Sequence, residues 1–269
     1  VHVIVNALPS VTIIGENSIC QGQSATLTAR GGTSYHWSTG SADSMLTVNV
    51  PNTYSVTVYN ANGCSATASR NIVVNPLPSP VISGVTSICQ GQSTQLTAGG
   101  GASYSWNNDQ TNATISVSNS GTYTVTASNS HGCTATASQN VIVNQYPVVS
   151  MAGDTVLCLG ETAVITASGG SSYNWSSGQI GAIATFTPTQ TSYYTVNVTN
   201  SAGCAVTRLI TIVVNALPSI TISGDNSICQ GETTQLTASG GNSYSWSTGA
   251  TVSQISVTTA ANYSVTVSN

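Results

Sequence analysis

The chain has 269 residues, of which only 4% are charged: seven acids, three arginines and no lysine, for a formal net charge of -4. Charge so sparse and slightly acidic makes no basic patch, so nucleic acid and anionic membrane surfaces are poor partners. Hydrophobic residues make up 40% of the chain and fall at regular places, unlike those of a disordered segment. No apolar run approaches the roughly 18 residues of a membrane span, so no membrane insertion is expected.

In chain order, residues 1–8 come first. Val1-His2-Val3-Ile4-Val5-Asn6 matches the later Ile72-Val73-Val74-Asn75, so 1–8 read as the final strand of a preceding repeat. Cys20-Gln21-Gly22-Gln23 then returns as Cys89-Gln90-Gly91-Gln92, Cys158-Leu159-Gly160-Glu161 and Cys229-Gln230-Gly231-Glu232, at steps of 69, 69 and 71 residues. Self-similarity at a fixed period signals an array of small modules. The repeats fall at 9–77, 78–146, 147–217 and 218–269, the fourth lacking its last strand. Asn269 stops just before an expected Gly-Cys, so the polypeptide is expected to continue at both ends, or a neighbouring chain to fill the gap.

Within the first repeat, short runs rich in Val, Ile, Thr and Tyr alternate with period two, as half-buried strands do. They predict strands over 11–14, 25–29, 35–38, 46–50, 54–59 and 66–74. Tyr54, Val56 and Val58 share one face, as do Tyr123, Val125 and Ala127, then Tyr194, Val196 and Val198, and Tyr263, Val265 and Val267. Asn62-Gly63, His131-Gly132 and Ala202-Gly203 close a tight hairpin between the last two strands. Prolines (Pro9, Pro76, Pro78, Pro80, Pro147, Pro218) mark the handovers between modules as stiff linkers. Trp37, Trp106, Trp175 and Trp246 each follow the motif cysteine by 17 positions. Short strands with a Trp on the third and a Tyr opening the penultimate one describe an all-β tandem array of about four immunoglobulin-like β-sandwich domains. The four Trp are expected to plug the cores; sugar stacking on them is the weaker reading.

The string Cys-x-Gly-x-x-x-x-Leu-Thr-Ala, then Gly-Gly-x-Ser-Tyr-x-Trp-Ser, Tyr-x-Val and Asn-x-x-Gly-Cys resembles the Ig-like (PKD-like) repeats of giant secreted surface proteins of Bacteroidota. That family includes cargo of the type IX secretion system and gliding-motility adhesins. The resemblance covers the whole chain and implies an extracellular, cell-surface stalk or filament, with adhesion located elsewhere on the giant polypeptide.

Seven cysteines in such a setting point to disulfides. Spacings of 44, 44 and 46 residues fit pairing within repeats, as Cys20–Cys64, Cys89–Cys133 and Cys158–Cys204. They fit pairing across repeats equally well. Geometry favours the second. Cys20 follows the first strand, at the opposite end of a sandwich from the hairpin holding Cys64, and a six-residue strand alone spans about 20 Å. A disulfide needs Cα atoms within about 7 Å. Modules stacked end to end would instead join Cys20 to Cys133 and Cys89 to Cys204. Cys158 and Cys229 would then reach forward, and Cys64 back, to further modules.

No chemistry emerges from the remaining polar residues, so neither an enzyme nor a cofactor is expected. His36 stands where sister repeats have Ser105, Asn174 and Ser245; His131 replaces Asn62 and Ala202; His2 lies at the edge. Glu161 and Glu232 share a slot with Gln23 and Gln92, so ionisation there is dispensable. Asp43, Asp109, Asp154 and Asp225 are isolated, unlike a calcium ligand set, and no metal site is expected. Without lysine there is no Lys–Asn isopeptide crosslink. Asp43-Ser44-Met45 and Asp154-Thr155-Val156 resemble Bacteroidota O-glycosylation sites, which makes Ser44 and Thr155 candidates for covalent glycans. The expected function is a load-bearing repeat segment of an extracellular filament or adhesin stalk, whose partners are neighbouring repeats of the same or an identical chain. The alternative is a glycan- or host-surface-binding module array. A filament built by strand exchange would have Val1–Val5 complete the last sandwich of a neighbour.

Overall fold

A computed structural model describes all of residues 1–269. It contains strands and turns, and no helix long and apolar enough to cross a membrane. The chain divides into two compact units, 1–144 and 145–269, and each holds two sandwiches.

The first sandwich runs β1 (Thr12–Ile14), β2 (Ser18–Cys20), β3 (Ala25–Arg30), β4 (Ser34–Trp37), β5 (Met45–Val48), β6 (Asn52–Tyr59) and β7 (Ser65–Asn75). One sheet has the order β1-β3-β5 and the facing sheet β2-β7-β6-β4. The period-two pattern dictates which side chains face inward. Ala25, Leu27 and Ala29 of β3 are buried, as are Tyr54, Val56 and Val58 of β6, while their neighbours point outward. Trp37 packs with Leu27, Val56, Val58 and Ile72 between the sheets, all of them essentially inaccessible to solvent.

The strand β2 was not expected from the sequence, which leads from the first strand directly into a turn. At Gly15 the chain instead leaves one sheet and crosses to the other. There Ser18–Cys20 runs parallel to Val73–Asn75 at the end of β7. The crossing needs glycine: φ is 143° and a Cβ would lie 2.5 Å from the Thr26 carbonyl oxygen. Gly84, Gly153 and Gly224 repeat the same φ and the same close approach.

The second sandwich repeats this plan with β8 (Val81–Ser83), β9 (Ser87–Cys89), β10 (Thr94–Gly99), β11 (Ser103–Trp106), β12 (Thr114–Val117), β13 (Gly121–Ser128) and β14 (Thr134–Asn144). Its sheets are β12-β10-β8 and β11-β13-β14-β9.

In the second unit, the third sandwich comprises β15 (Ser150–Ala152), β16 (Val156–Cys158), β17 (Ala163–Ser168), β18 (Ser172–Trp175), β19 (Ile183–Phe186), β20 (Ser192–Thr199) and β21 (Ala205–Asn215), in the same two-sheet order. The fourth keeps β22 (Thr221–Ser223), β23 (Thr234–Ser239) and β25 (Gln254–Val257) as one complete sheet. Its facing sheet is only β24 (Ser243–Trp246) with β26 (Val265–Ser268). Residues 1–8, read from the sequence as a final strand, join no sheet of this chain, and their apolar side chains are exposed, whereas Pro9 after them is buried.

Candidate functional site

No three His, Cys, Asp or Glu side chains come close enough to hold a metal. The organised polar structure lies at the ends of the sandwiches, where one repeat hands over to the next. In the first unit that joint can be built from its residues.

On the side of the first repeat, β2 lies parallel to the end of β7, with Cys20 opposite Asn75. Asn75 is one of very few buried polar residues. Its side-chain amide donates to Ser18 Oγ at 2.6 Å, and its backbone carbonyl accepts from Gln21 N at 2.8 Å. A polar side chain buried at this depth is tolerated only because it is paired. Past Cys20 the chain reverses at Gly22, with φ 86°, and Gln23 N donates to Cys20 O. The Gln23 side chain closes the turn by accepting from Cys20 N at 3.3 Å. Gln92, Glu161 and Glu232 accept from Cys89, Cys158 and Cys229 in the same way. This explains why Gln and Glu exchange there: the turn uses an acceptor oxygen, which both supply.

On the side of the second repeat, the hairpin between β13 and β14 is organised by Asn129. Its Oδ1 accepts from His131 N and Cys133 N, both at 3.0 Å. Its Nδ2 donates at 2.8 Å to the carbonyl of Pro76 in the linker. The side chain thus fastens the incoming linker to the hairpin of the repeat it enters. Asn60 does the same to Ala7, Asn200 to Gln145 and Asn269 to Ala216. Sequence reasoning gave these asparagines no role; their recurrence in Asn-x-x-Gly-Cys was the available signal.

Between the two sides lies a disulfide. Cys20 is bonded to Cys133, with Cα atoms 5.6 Å apart and a sequence separation of 113. The bond crosses from the far end of the first sandwich to the near end of the second. Cys89 and Cys204 are also disulfide-bonded, while Cys64, Cys158 and Cys229 are free thiols. The alternative pairing within repeats (Cys20–Cys64, Cys89–Cys133 and Cys158–Cys204) is therefore corrected, since each of its pairs needs a thiol that is either free or bonded elsewhere. The reason is distance. Cys64 precedes the first residue of β7 and Cys20 lies beside the last. Eleven residues of strand separate those ends by roughly 35 Å.

The other singled-out residues lie apart from the joint. Trp37, Trp106, Trp175 and Trp246 are all buried, and each indole N–H donates to a backbone carbonyl six residues on, from Asp43 O to Val252 O, at 2.9–3.0 Å. Their rings offer no exposed face to a sugar. Ser44 is exposed on the approach to β5, whereas Thr155 is half-buried and its carbonyl accepts from Val213 N. Tyr54, Tyr123 and Tyr263 each donate a phenolic hydrogen bond to the carbonyl four residues earlier. In the third repeat Phe186 at the end of β19 instead packs on Tyr194 of β20 with ring centroids 4.0 Å apart, and the connection between these two strands holds the two extra residues.

Two-sheet sandwiches of this strand order, repeated in tandem, define an array of immunoglobulin-like domains. No family model and no curated protein matches the sequence. Among solved structures, the chain is similar to a 1.5-MDa bacterial ice-binding adhesin studied for host cell surface retention (13% identity, 79% of this chain and all of that one, TM-score 0.33). It is similar to a Ca2+-stabilized adhesin of an Antarctic bacterium (13% identity, 94% and 90%, TM-score 0.35) and to immunoglobulin domains 1–5 of Sidekick-1 (15% identity, 77% and 58%, TM-score 0.29). At such TM-scores the likeness carries no argument about what this chain does, and the fold stands on its own strand pairing.

Proposed function

We propose that this chain is a load-bearing spacer, a structural repeat segment of an extracellular filament or adhesin stalk at a cell surface, with no enzymatic role. The observation that carries this reading is the Cys20–Cys133 bond, a covalent tie across the very place where a string of domains would otherwise hinge. Disulfides persist in oxidising surroundings, which supports a position outside the cell. The linker clamps of Asn60, Asn129, Asn200 and Asn269 act at the same joints without covalent chemistry. The repeat spacing extends the tie to Cys89–Cys204, and it directs Cys158 and Cys229 forward and Cys64 back to neighbouring repeats. The resemblance to Bacteroidota surface repeats adds secretion by the type IX route, use in gliding motility and O-glycans on Ser44 and Thr155 to this reading. The glycan- or host-surface-binding alternative loses its strongest candidates with the burial of the four Trp.

Pulling single molecules by their ends tests the load-bearing role. With the bond intact, the segment between Cys20 and Cys133, a sequence separation of 113, stays locked while the sandwiches open. Reduction should therefore lengthen the fully extended chain by at least about 380 Å at 3.3–3.6 Å per residue. Equal extension with and without reductant would remove the tie from the load path, and the stalk reading with it.

A further inference from the structure

The bond at the joint decides which residues of the first unit lie between two pulling points. Without it, tension entering at Ala7 runs through every residue of both sandwiches before it leaves at Asn144. With Cys20 bonded to Cys133, the shortest covalent path runs from Ala7 to Cys20, across two sulfurs, then from Cys133 to Asn144. Residues 21–132 hang from that path as a side loop.

Both arms of the path already lie stretched along their sandwiches. In the first, β1 runs antiparallel to β3 and β2 runs parallel to the end of β7, so both point from the hairpin end to the far end. Asn60 of the hairpin holds Ala7 at the start of this arm, and Cys20 stands opposite Asn75 at its finish. The thirteen steps from Ala7 to Cys20 reach at most about 43–47 Å. The eleven residues of β7 beside them already cover about 35 Å. The second arm is β14 itself, unbroken from Thr134 to Asn144, held by β13 along one side and by β9 at its far end. A strand in a sheet is within about a tenth of its full reach, so neither arm has much length to give.

What the path leaves out is equally specific. The linker with Pro76, Pro78 and Pro80 and the Asn129 clamp on it belong to the side loop. So do the central core residues Leu27 and Trp37 of the first sandwich and Leu96 and Trp106 of the second.

We infer that the Cys20–Cys133 bond is a redox-set selector of how the first unit answers tension. Oxidised, the unit passes load along a covalent strap and barely lengthens, and once the arms are taut its two cores carry none of it. Reduced, the path runs through both cores in series, and the sandwiches must open for the unit to extend. A small dithiol such as dithiothreitol makes the change. Its first thiolate attacks one sulfur of the bond to form a mixed disulfide. Its second then displaces the protein thiolate, leaving two protein thiols and the reagent as a cyclic disulfide. The strap rests on the stalk reading and deepens it, but the response of core variants tests it separately.

The test uses the whole 269-residue chain, pulled by handles on Leu8→azidophenylalanine and Gln145→azidophenylalanine. Both positions are exposed, and all seven cysteines stay in place. Oxidised, the span between the handles should gain less than about 30 Å, the slack of the two arms. After dithiothreitol it should gain at least about 380 Å more, in steps, as the sandwiches open. Leu27→Ala and Leu96→Ala each hollow one core; they should lower the opening force of the reduced chain and leave the oxidised trace unchanged. Cys20→Ser should give the reduced trace in oxidising buffer. An oxidised trace that shifts with Leu96→Ala, or an oxidised gain beyond about 100 Å that still grows on reduction, would overturn the strap and leave the stalk reading standing. Identical traces with and without dithiothreitol would overturn both.

Discussion

The first and fourth sandwiches share a sequence pattern but differ in one strand, and the difference shows what that strand does. In the first, β7 runs on past its hairpin, buries Ile72 and pairs with β2, and Leu27 in the middle of the core is wholly inaccessible. In the fourth, with β24 and β26 facing the complete sheet alone, Leu236 at the same position is half-exposed, and β22 is exposed throughout where β1 keeps Ile13 half-buried. The second half of the long strand therefore closes the end of the sandwich at which the next repeat docks. Domain core and domain joint are made by the same few residues, from Ile72 to Asn75.

The largest effect should come from opening the joint. Replacing both Cys20 and Cys133 by Ser should destabilise the first unit by about 4–5 kcal/mol on a chain-entropy estimate for a loop of this length, read as a fall in denaturant midpoint. Core truncation sharpens the contrast. Trp37→Ala should cost about 3–5 kcal/mol, as for a large aromatic removed from a closed core, and Trp246→Ala distinctly less; equal losses would show that the fourth core is as tight as the first. Amide hydrogen exchange should rank the same way, with β24 and β26 exchanging ahead of β4 and β6. Asn129→Ala leaves two hairpin N–H groups and the Pro76 carbonyl without their partner, for a loss of about 1–2 kcal/mol, visible as faster exchange at His131 and Cys133. The smallest effect is a gain. Asp109 holds φ 65° where Gly40, Gly178 and Gly249 stand in sister repeats, so Asp109→Gly should stabilise the second repeat slightly, on the order of 0.5 kcal/mol, read as a small rise in denaturant midpoint.

Most of the fold could be read from the residues because alternation and turn chemistry are local. The inward set Tyr54, Val56 and Val58 and the hairpin at Asn62-Gly63 follow from spacing alone. The short strand Ser18–Cys20 could not be read so directly. Three residues carry too little periodicity, and their pairing depends on a crossover at Gly15 and on Val73–Asn75 more than fifty positions away. The joint was legible only in part for the same reason. Its cysteines stand out by their period, whereas Asn129 acts through a linker carbonyl whose position no side-chain pattern records.

The tie between Cys20 and Cys133 also bears on how the chain withstands proteolysis. Any single peptide bond cut between those two residues, including one in the exposed loop around Ser44, leaves the two fragments joined through sulfur. Severing the strand of modules within that span takes a second chemical event, reduction, so that a nick which would shed everything beyond it from an unbridged chain leaves this one in a single piece.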